Sequence, residues 1–196
     1  MRDKFRQVNE FLKLLEHTGA LEGIAHTPVR LVDCGCGSAY LTLAAYHYLN
    51  DVRGMPATLD GVDVDAQLIA KSRAQVQAMG LDARVCFYRS AIIDYEPDAP
   101  PDIVLALHAC DTATDEALAQ GIKWGARLIL AVPCCHHHLH RQLERAPPFA
   151  PVLREGILKK RLADILTDTF RGWRCASWAT APTWSSSCRP STPTAT

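Results

Sequence analysis

The chain has 196 residues, a length suited to one α/β domain with a sizeable core. Its 21 basic and 21 acidic residues balance, so no overall basic excess indicates nucleic-acid binding, although a local basic patch is compatible with this balance. No secretion signal or long apolar span is visible, which predicts a cytoplasmic protein with no membrane partner and with its eight cysteines reduced.

An amphipathic helix is predicted at the beginning of the chain, over residues 3–17. Its apolar residues recur at spacings of three and four, which is typical of a helix that buries one face. They are Phe5, Val8, Phe11, Leu12 and Leu15. The other face carries basic and polar side chains, including Lys4, Arg6 and Gln7. That face is either solvated or in contact with an anionic substrate.

Residues 29–41 are the stretch around which the rest of the chain is organised. Residues 29–32 form an apolar strand, which is followed by Asp33, by Gly35 and Gly37, and then by helix-forming residues. The glycines permit positive φ and let a ligand approach the backbone, and the helix directs its free N–H groups into the same space. The pattern predicts a nucleoside-binding strand–loop–helix, with an ordinary turn as the alternative.

The second strand is predicted over residues 58–65, and it ends in acids. Asp63 follows Asp33 at a distance suited to one helix and one returning strand. An acid at this strand tip can accept hydrogen bonds from both ribose hydroxyls, which is the role predicted for Asp63. Asp65 suits the N-cap of a helix over residues 66–79. In the alternative reading, both acids are caps or exposed turn residues.

Three further strands are predicted over residues 83–88, 102–107 and 126–132, with a helix over residues 116–121. After Asp102 the fourth strand is wholly apolar, as expected at the centre of a parallel sheet covered on both faces. Strands that alternate with helices predict a doubly wound parallel α/β fold. In such folds ligands bind outside the carboxyl ends of the strands, and the unusual polar clusters of this chain follow those ends.

The loop D-C-G-C-G-S-A-Y-L-T resembles motif I of the class I S-adenosylmethionine (SAM) methyltransferases, D/E-x-G-x-G-x-G, with Ala39 at the third glycine. The resemblance implies a Rossmann-like fold and SAM as the cofactor. It also implies that the loop wraps the methionine half and that Asp33 contacts the amino group. Many of these methyltransferases hold the adenine with an acid after the third strand, where this chain has Ser90 and Ala91, so backbone groups and Ile92 are expected to hold it. The implied cofactor-binding residues are Asp33, Gly35, Gly37, Asp63, Ser90 and Ala91.

The segments L-H-A-C-D-x-A-T-D and P-C-C-H-H-H, after the fourth and fifth strands, resemble a narrower subgroup of these methyltransferases. It includes acceptor-stem tRNA 2′-O-methyltransferases, the methyltransferase-like domain of glutathione-S-transferase-C-terminal-domain-containing proteins, and bacterial proteins of unassigned substrate. The resemblance covers about residues 3–171, and its motifs are specific for the subgroup but not for a substrate. RNA is the expected acceptor and partner. A small-molecule or protein acceptor and an inactive, truncated SAM-fold module are the alternatives. The oligomeric state is left open.

The two segments contain the residues predicted to be catalytic, namely Asp111, His108 and His136. Methyl transfer to a ribose hydroxyl or a ring nitrogen needs a base, and imidazole titrates near neutral pH. His108 or His136 could be that base, with Asp111 orienting the imidazole or accepting the proton. In the alternative reading His108 donates to a loop carbonyl, and Asp111 and Asp115 cap the next helix. Asp115 is assigned mainly to capping.

Cysteines and histidines between residues 134 and 140 also suggest zinc, because sulfur and imidazole are ligands that zinc prefers. Adjacent ligands converge poorly on one ion, however, and no second pair stands at the spacing of a zinc finger. No metal is therefore predicted. Cys134 is expected in the core, with the histidines lining a cleft.

The end of the chain changes character after an amphipathic helix predicted over residues 156–171. We expect residues 1–171 to form the methyltransferase domain and residues 172–196 to form a tail. The tail is rich in Ser, Thr, Pro and Ala and shows no strand alternation, where the resembling family adds two antiparallel strands. It is expected to be disordered or, as a hypothesis, translated out of frame after about Phe170, which would leave the sheet without its last hairpin.

Overall fold

A computed structural model describes residues 2–24, 27–107, 109–133, 136–143 and 146–178. Within these residues the chain forms a five-stranded sheet in the order β3-β2-β1-β4-β5, with every pairing parallel. The strands are β1 Val29–Cys34, β2 Ala57–Asp63, β3 Val85–Arg89, β4 Ile103–Leu107 and β5 Leu128–Val132. The predicted doubly wound α/β fold is confirmed.

Seven α-helices accompany the strands in the described part of the chain. They are α1 Arg2–His17, α2 Tyr40–His47, α3 Ala66–Ala78, α4 Thr112–Lys123, α5 His137–Gln142, α6 Ala150–Leu153 and α7 Gly156–Trp178. A π-helical turn, Tyr48–Val52, prolongs α2, and short 3-10 turns join other elements. No helix in these described ranges is both long and apolar enough to cross a membrane.

Strand β1 lies at the centre of the sheet because it pairs with β2 on one side and with β4 on the other. Asp33, near its carboxyl end, is in register with Gly61 of β2 and with Leu105 of β4. Parallel pairing brings the carboxyl ends of neighbouring strands to one edge of the sheet. We call this the carboxyl edge, and the loops that follow β1, β2, β3, β4 and β5 all begin there.

Both faces of the sheet are covered, as the apolar strands predict. Side chains of β1 alternate between the faces: Leu31 joins a core built largely with α1, α2 and α3, whereas Val32 joins a core built with α4. Val8, Phe11 and Leu15 of α1 are buried in the first of these cores. The predicted apolar face of the N-terminal helix is therefore confirmed over these three residues.

Two helices are longer than the sequence pattern indicates. Helix α4 begins at Thr112, directly after the chain reverses at Asp111, and the backbone N–H of Ala113 bonds back to the Cys110 carbonyl at 3.1 Å. Helix α7 continues to Trp178. Arg171 and Gly172 lie within the helix and are buried, so the helix does not end there. The boundary predicted at residue 171 thus lies inside α7, and residues 179–196 lie outside the described ranges.

Gly61 provides a test of how closely β2 packs. A methyl group on Gly61 would lie 2.5 Å from ring atoms Cδ1 and Cε1 of Phe87 on β3. We expect Gly61→Ala to lower the free energy of unfolding by about 1–3 kcal/mol, because the ring must move within a close-packed core. Urea denaturation measures the loss.

Gly156→Ala is the matched control, since no atom lies within 4 Å of the methyl position at Gly156. Its effect should stay within about 0.5 kcal/mol. Equal stability of the two variants would show that the Phe87 ring does not exclude a methyl group at residue 61.

Candidate functional site

The loop between β1 and α2 has the backbone that its glycines predict. Gly35 and Gly37 adopt φ of 74° and 52°, and Ala39, at the third motif position, also adopts a left-handed φ of 59°. The loop is tied to β2, because the N–H groups of Gly35 and Cys36 donate to the Val62 carbonyl at 2.8 and 3.1 Å. The departure from glycine at Ala39 therefore leaves the left-handed turn intact.

Asp63, at the end of β2, faces this loop. One carboxylate oxygen, Oδ2, accepts a 2.8 Å hydrogen bond from the Gly37 N–H, and Oδ1 accepts one of 2.9 Å from the Asp65 N–H. Asp65 caps α3 instead, accepting from the N–H groups of Gln67 and Leu68. The predicted cap at Asp65 is confirmed. Asp63 is half-buried and binds both the glycine loop and the Asp65 N–H, and its role toward a ribose stays a prediction.

Asp33 lies beneath the same loop, and its side chain is fully buried. Its Oδ2 accepts a 2.5 Å hydrogen bond from the Thr42 hydroxyl of α2. Burial, which disfavours the charged carboxylate, raises the pKa of Asp33 to about 6; the Thr42 hydrogen bond opposes this rise and the charge on Asp63 adds to it. The sequence motif identifies the acid, but nothing in its spacing predicts Thr42 as the partner.

Ser90 and Ala91 follow β3 and lie beside Asp63, half-buried. The Ser90 N–H donates to the Asp63 carbonyl at 3.1 Å, and the Ser90 hydroxyl donates to the Ala91 carbonyl at 2.9 Å. Three strand ends, those of β1, β2 and β3, are thus joined by hydrogen bonds at the carboxyl edge. We call this group the glycine-loop cluster: Asp33, Gly35, Gly37, Asp63, Ser90 and Ala91.

Asp111 follows β4 at the same edge. Its backbone adopts φ 56° and ψ −120°, which is unusual for a residue with a side chain. Its carboxylate does not cap α4; Oδ1 accepts a 2.9 Å hydrogen bond from the His138 N–H of α5, and Oδ2 lies 3.9 Å from Nη2 of Arg141. The Asp111 side chain is 23 % exposed, so the carboxylate is open to solvent.

The loop that carries Asp111 also touches the glycine loop. A methyl group on Gly35 would lie 3.4 Å from Cα and Cβ of Ala109, two residues before Asp111. The predicted cofactor-binding residues and Asp111 therefore belong to adjoining parts of one edge. His108, the residue before Ala109, lies outside the described residues, as do Cys134 and Cys135.

His136 is held between two acids of α7. Its Nε2 lies 2.9 Å from Oδ1 of Asp168, and its Nδ1 lies 3.2 Å from Oδ1 of Asp164, while the side chain is only 11 % exposed. Each ring nitrogen thus faces a carboxylate oxygen. The arrangement joins the loop after β5 to α7, and the sequence pattern, which concentrates on the histidine run, does not indicate either acid.

The assignment of Asp115 to helix capping is wrong. Its carboxylate pairs with Arg171 of α7, with Nε at 2.6 Å from Oδ1 and Nη2 at 3.2 Å from Oδ2. The N–H groups that begin α4 bond to backbone carbonyls instead, and Asp115 projects from the helix toward α7.

No group of three or more metal-ligating side chains is found in the described ranges.

The chain belongs to a family of methyltransferase domains, whose sequence model matches residues 3–142. This confirms the predicted class. A search of curated proteins gave no match.

Similar solved structures include geranyl diphosphate C-methyltransferase from Streptomyces coelicolor A3(2), with 16% identity, 65% of this chain and 41% of that chain covered, and a TM-score of 0.46. A SAM-dependent methyltransferase from Geobacter sulfurreducens shows 21% identity, coverage of 57% and 43%, and a TM-score of 0.41. YjhP from E. coli shows 20% identity, coverage of 58% and 44%, and a TM-score of 0.41. The chain spans less than half the length of each of these structures.

Asp33 makes the stability of the protein depend on pH. Its pKa is raised to about 6 in the folded state, against about 3.9 in an unfolded chain. The folded protein therefore binds the proton more tightly, and the stabilisation that protonation provides is lost as the pH rises through about 6. Asp33→Asn removes this titration while keeping an oxygen for Thr42.

The stability difference, variant minus wild type, should increase by about 1 kcal/mol between about pH 5 and about pH 8. Urea denaturation of both proteins at each pH measures it, and titrations that the two proteins share cancel in the difference. A difference that does not change with pH would mean that Asp33 titrates alike in the folded and unfolded states.

Proposed function

We propose that this chain is a SAM-dependent methyltransferase that modifies RNA. The observation that carries the proposal is the glycine-loop cluster, present at the carboxyl edge of a chain that belongs to a methyltransferase-domain family. In open α/β sheets this edge is where ligands bind.

The residues of the cluster fit the cofactor. The methyl position on Gly37 meets no atom closer than 4.0 Å, so the loop leaves space for a ligand against its backbone. Asp63 presents a half-buried carboxylate beside that space, able to accept hydrogen bonds from two ribose hydroxyls. Ser90 and Ala91 flank it with backbone groups suited to an adenine ring. When bound, SAM supplies an electrophilic methyl group on its sulfonium.

Asp111 is the described residue best placed to act on the acceptor. Its carboxylate is partly open to solvent and lies on a loop that adjoins the glycine loop. A carboxylate in this position can orient an acceptor hydroxyl or take its proton during transfer. His108 remains a predicted catalytic residue on the same loop. For His136, both ring nitrogens face acids of α7, which favours an anchoring role over proton transfer.

The proposal of RNA as acceptor is supported by the residues around Asp111 and by the motif resemblance. Arg141 on α5 is 73 % exposed and lies beside the Asp111 carboxylate, where it could bind a phosphate group. His137 and His138 of the same helix are also exposed. The segments before and within α5 resemble those of acceptor-stem tRNA 2′-O-methyltransferases, which methylate a ribose hydroxyl.

Tritiated SAM tests the proposal directly. The full chain is incubated with the RNA, protein and small-molecule fractions of a cell extract, and label is counted in each fraction after ribonuclease and protease treatment. Label that ribonuclease releases supports RNA methylation. Label confined to protein or to small molecules would show that the acceptor belongs to that class and is not RNA. Label in no fraction, despite measurable SAM binding, would favour a non-catalytic SAM-binding module.

The cofactor assignment predicts a loss of affinity in Asp63→Ala. We expect SAM binding to weaken by about 1–3 kcal/mol, because two ribose hydroxyls lose a charged acceptor and the Gly37 N–H loses its partner. Isothermal titration calorimetry measures the change. Asp65→Ala is the matched control, since Asp65 caps α3 and should affect stability instead of affinity. Unchanged affinity in Asp63→Ala would remove Asp63 from the site.

The role of Asp111 predicts a different pattern. Asp111→Asn should lower the transfer rate at least about tenfold while SAM affinity stays within about twofold, because the residue acts on the acceptor. Transfer kinetics and calorimetry measure the two quantities. Asp82→Asn, an exposed acid that precedes β3 at the opposite edge of the sheet, is the control. Equal losses of rate and affinity would make Asp111 a cofactor or folding residue.

A further inference from the structure

Helix α7 presents three charged side chains to the loops at the carboxyl edge. Asp164, Asp168 and Arg171 follow one another at spacings of four and three residues, which places them on one face of the helix. Arg171 contacts the segment after β4, whereas Asp164 and Asp168 contact the segment after β5. One helix thus binds both of the loops that surround the proposed acceptor.

The Arg171 guanidinium is the most buried of these charged groups, with 7 % of the side chain exposed. It makes a two-point contact with the Asp115 carboxylate, through Nε at 2.6 Å and Nη2 at 3.2 Å. Nη2 also donates to the Asp111 carbonyl at 2.8 Å. The planar guanidinium fork therefore fixes the Asp111 backbone relative to the first turn of α4.

Asp111 needs such a restraint because its backbone has a positive φ of 56°. A residue with a side chain held in a sparsely populated backbone conformation costs about 1–3 kcal/mol and persists only where its surroundings impose it. Here Arg171 binds the carbonyl and the His138 N–H binds the carboxylate, so both the backbone and the side chain of Asp111 are restrained. The direction of the carboxylate follows from these two contacts.

The contacts form a continuous ring around this part of the edge. His136 joins Asp168 at 2.9 Å, Asp168 Oδ1 lies 3.6 Å from Arg171 Nη1, and Arg171 joins the Asp111 carbonyl. His138, two residues after His136, closes the ring on the Asp111 carboxylate. A displacement of α7 would therefore move both loops together.

We propose that Arg171 is a positioning residue for methyl transfer. It holds the Asp111 backbone in its positive-φ conformation and so aims the Asp111 carboxylate at the acceptor, without contacting acceptor or cofactor itself. The proposal rests on the proposed function for its catalytic meaning. Its structural part, that Arg171 orders the segment from Ala109 to the first turns of α4, has a separate measurement.

Hydrogen–deuterium exchange of the full chain makes that measurement. In Arg171→Met, amides of residues 109–118 should exchange at least about tenfold faster than in wild type, because the first turn of α4 opens more readily. Residues 35–43 should exchange as before. Arg171→Lys keeps the charge but loses the fork and should show an intermediate effect. Arg161→Met, an exposed arginine of the same helix, is the matched control and should change nothing.

Transfer kinetics supply the second measurement, with tritiated SAM and the fraction that wild type labels. Arg171→Met should lower kcat about tenfold or more with the KM for SAM within about twofold, and Arg171→Lys should recover part of the rate. The double variant Arg171→Met/Asp111→Asn should be no slower than the slower single variant, because both changes disrupt the same function, the action of the Asp111 carboxylate.

The outcomes separate the two proposals. Unchanged exchange over residues 109–118, equal losses in kcat and KM, or additive losses in the double variant would each overturn the role of Arg171. If wild type labels no fraction, the proposed function fails, and exchange alone then decides whether Arg171 orders the loop. If Arg171→Met does not fold, Arg171→Lys and Asp115→Asn take its place. Both should speed exchange over residues 109–118 by a smaller factor, and unchanged exchange there would again overturn the role of Arg171.

Discussion

The central position of β1 in the parallel sheet is the constraint on which the rest of this structure depends. Because β1 is hydrogen-bonded to β2 on one side and to β4 on the other, the loops after all three strands begin at one edge. Gly37 and Asp63, 26 residues apart, become hydrogen-bonded neighbours there, and Gly35 comes against Ala109. A different strand order would separate these groups even with each loop unchanged.

The two halves of the edge are built from different kinds of group. The glycine-loop cluster consists mainly of backbone amides and carbonyls, oriented around the carboxylate of Asp63 and supported from below by Asp33 and Thr42. The half around Asp111 consists mainly of ionisable side chains from the loops and helices at this edge. Asp115 pairs with Arg171, His136 lies between two acids of α7, and Asp111 lies 3.9 Å from Arg141. A cradle of backbone groups suits a cofactor of constant shape, whereas side chains on loops and helices are easier to vary for different acceptors.

Asp33 and Arg171 illustrate how this edge uses buried charge. Each is almost fully removed from water, which is costly unless the group is paired or neutralised. Arg171 is paired with a carboxylate and a carbonyl, which compensate for its burial and fix the geometry of the contact. Asp33 has a hydroxyl partner, and burial raises the pKa of its carboxyl group to about 6. Burial thus disfavours the charged form of Asp33, whose partner is a neutral hydroxyl, whereas the burial of Arg171 is offset by a carboxylate partner.

The amino-acid sequence by itself determined the strands, the order in which helices follow them, the glycine turn, the cap at Asp65 and the class of protein, because these depend on local periodicity, backbone preference and contiguous motifs. Only the tertiary structure decided the partners of the charged residues: Thr42 for Asp33, the Gly37 amide for Asp63, Arg171 for Asp115, and Asp164 and Asp168 for His136. Asp115 shows why, since an acid in the first turn of a helix satisfies the local pattern of a cap. Its actual partner stands 56 residues away, and only the docking of α7 on α4 brings Arg171 within 2.6 Å. The partner of a side chain depends on which elements pack together. The spacing of two residues along the chain does not determine whether their elements meet in space.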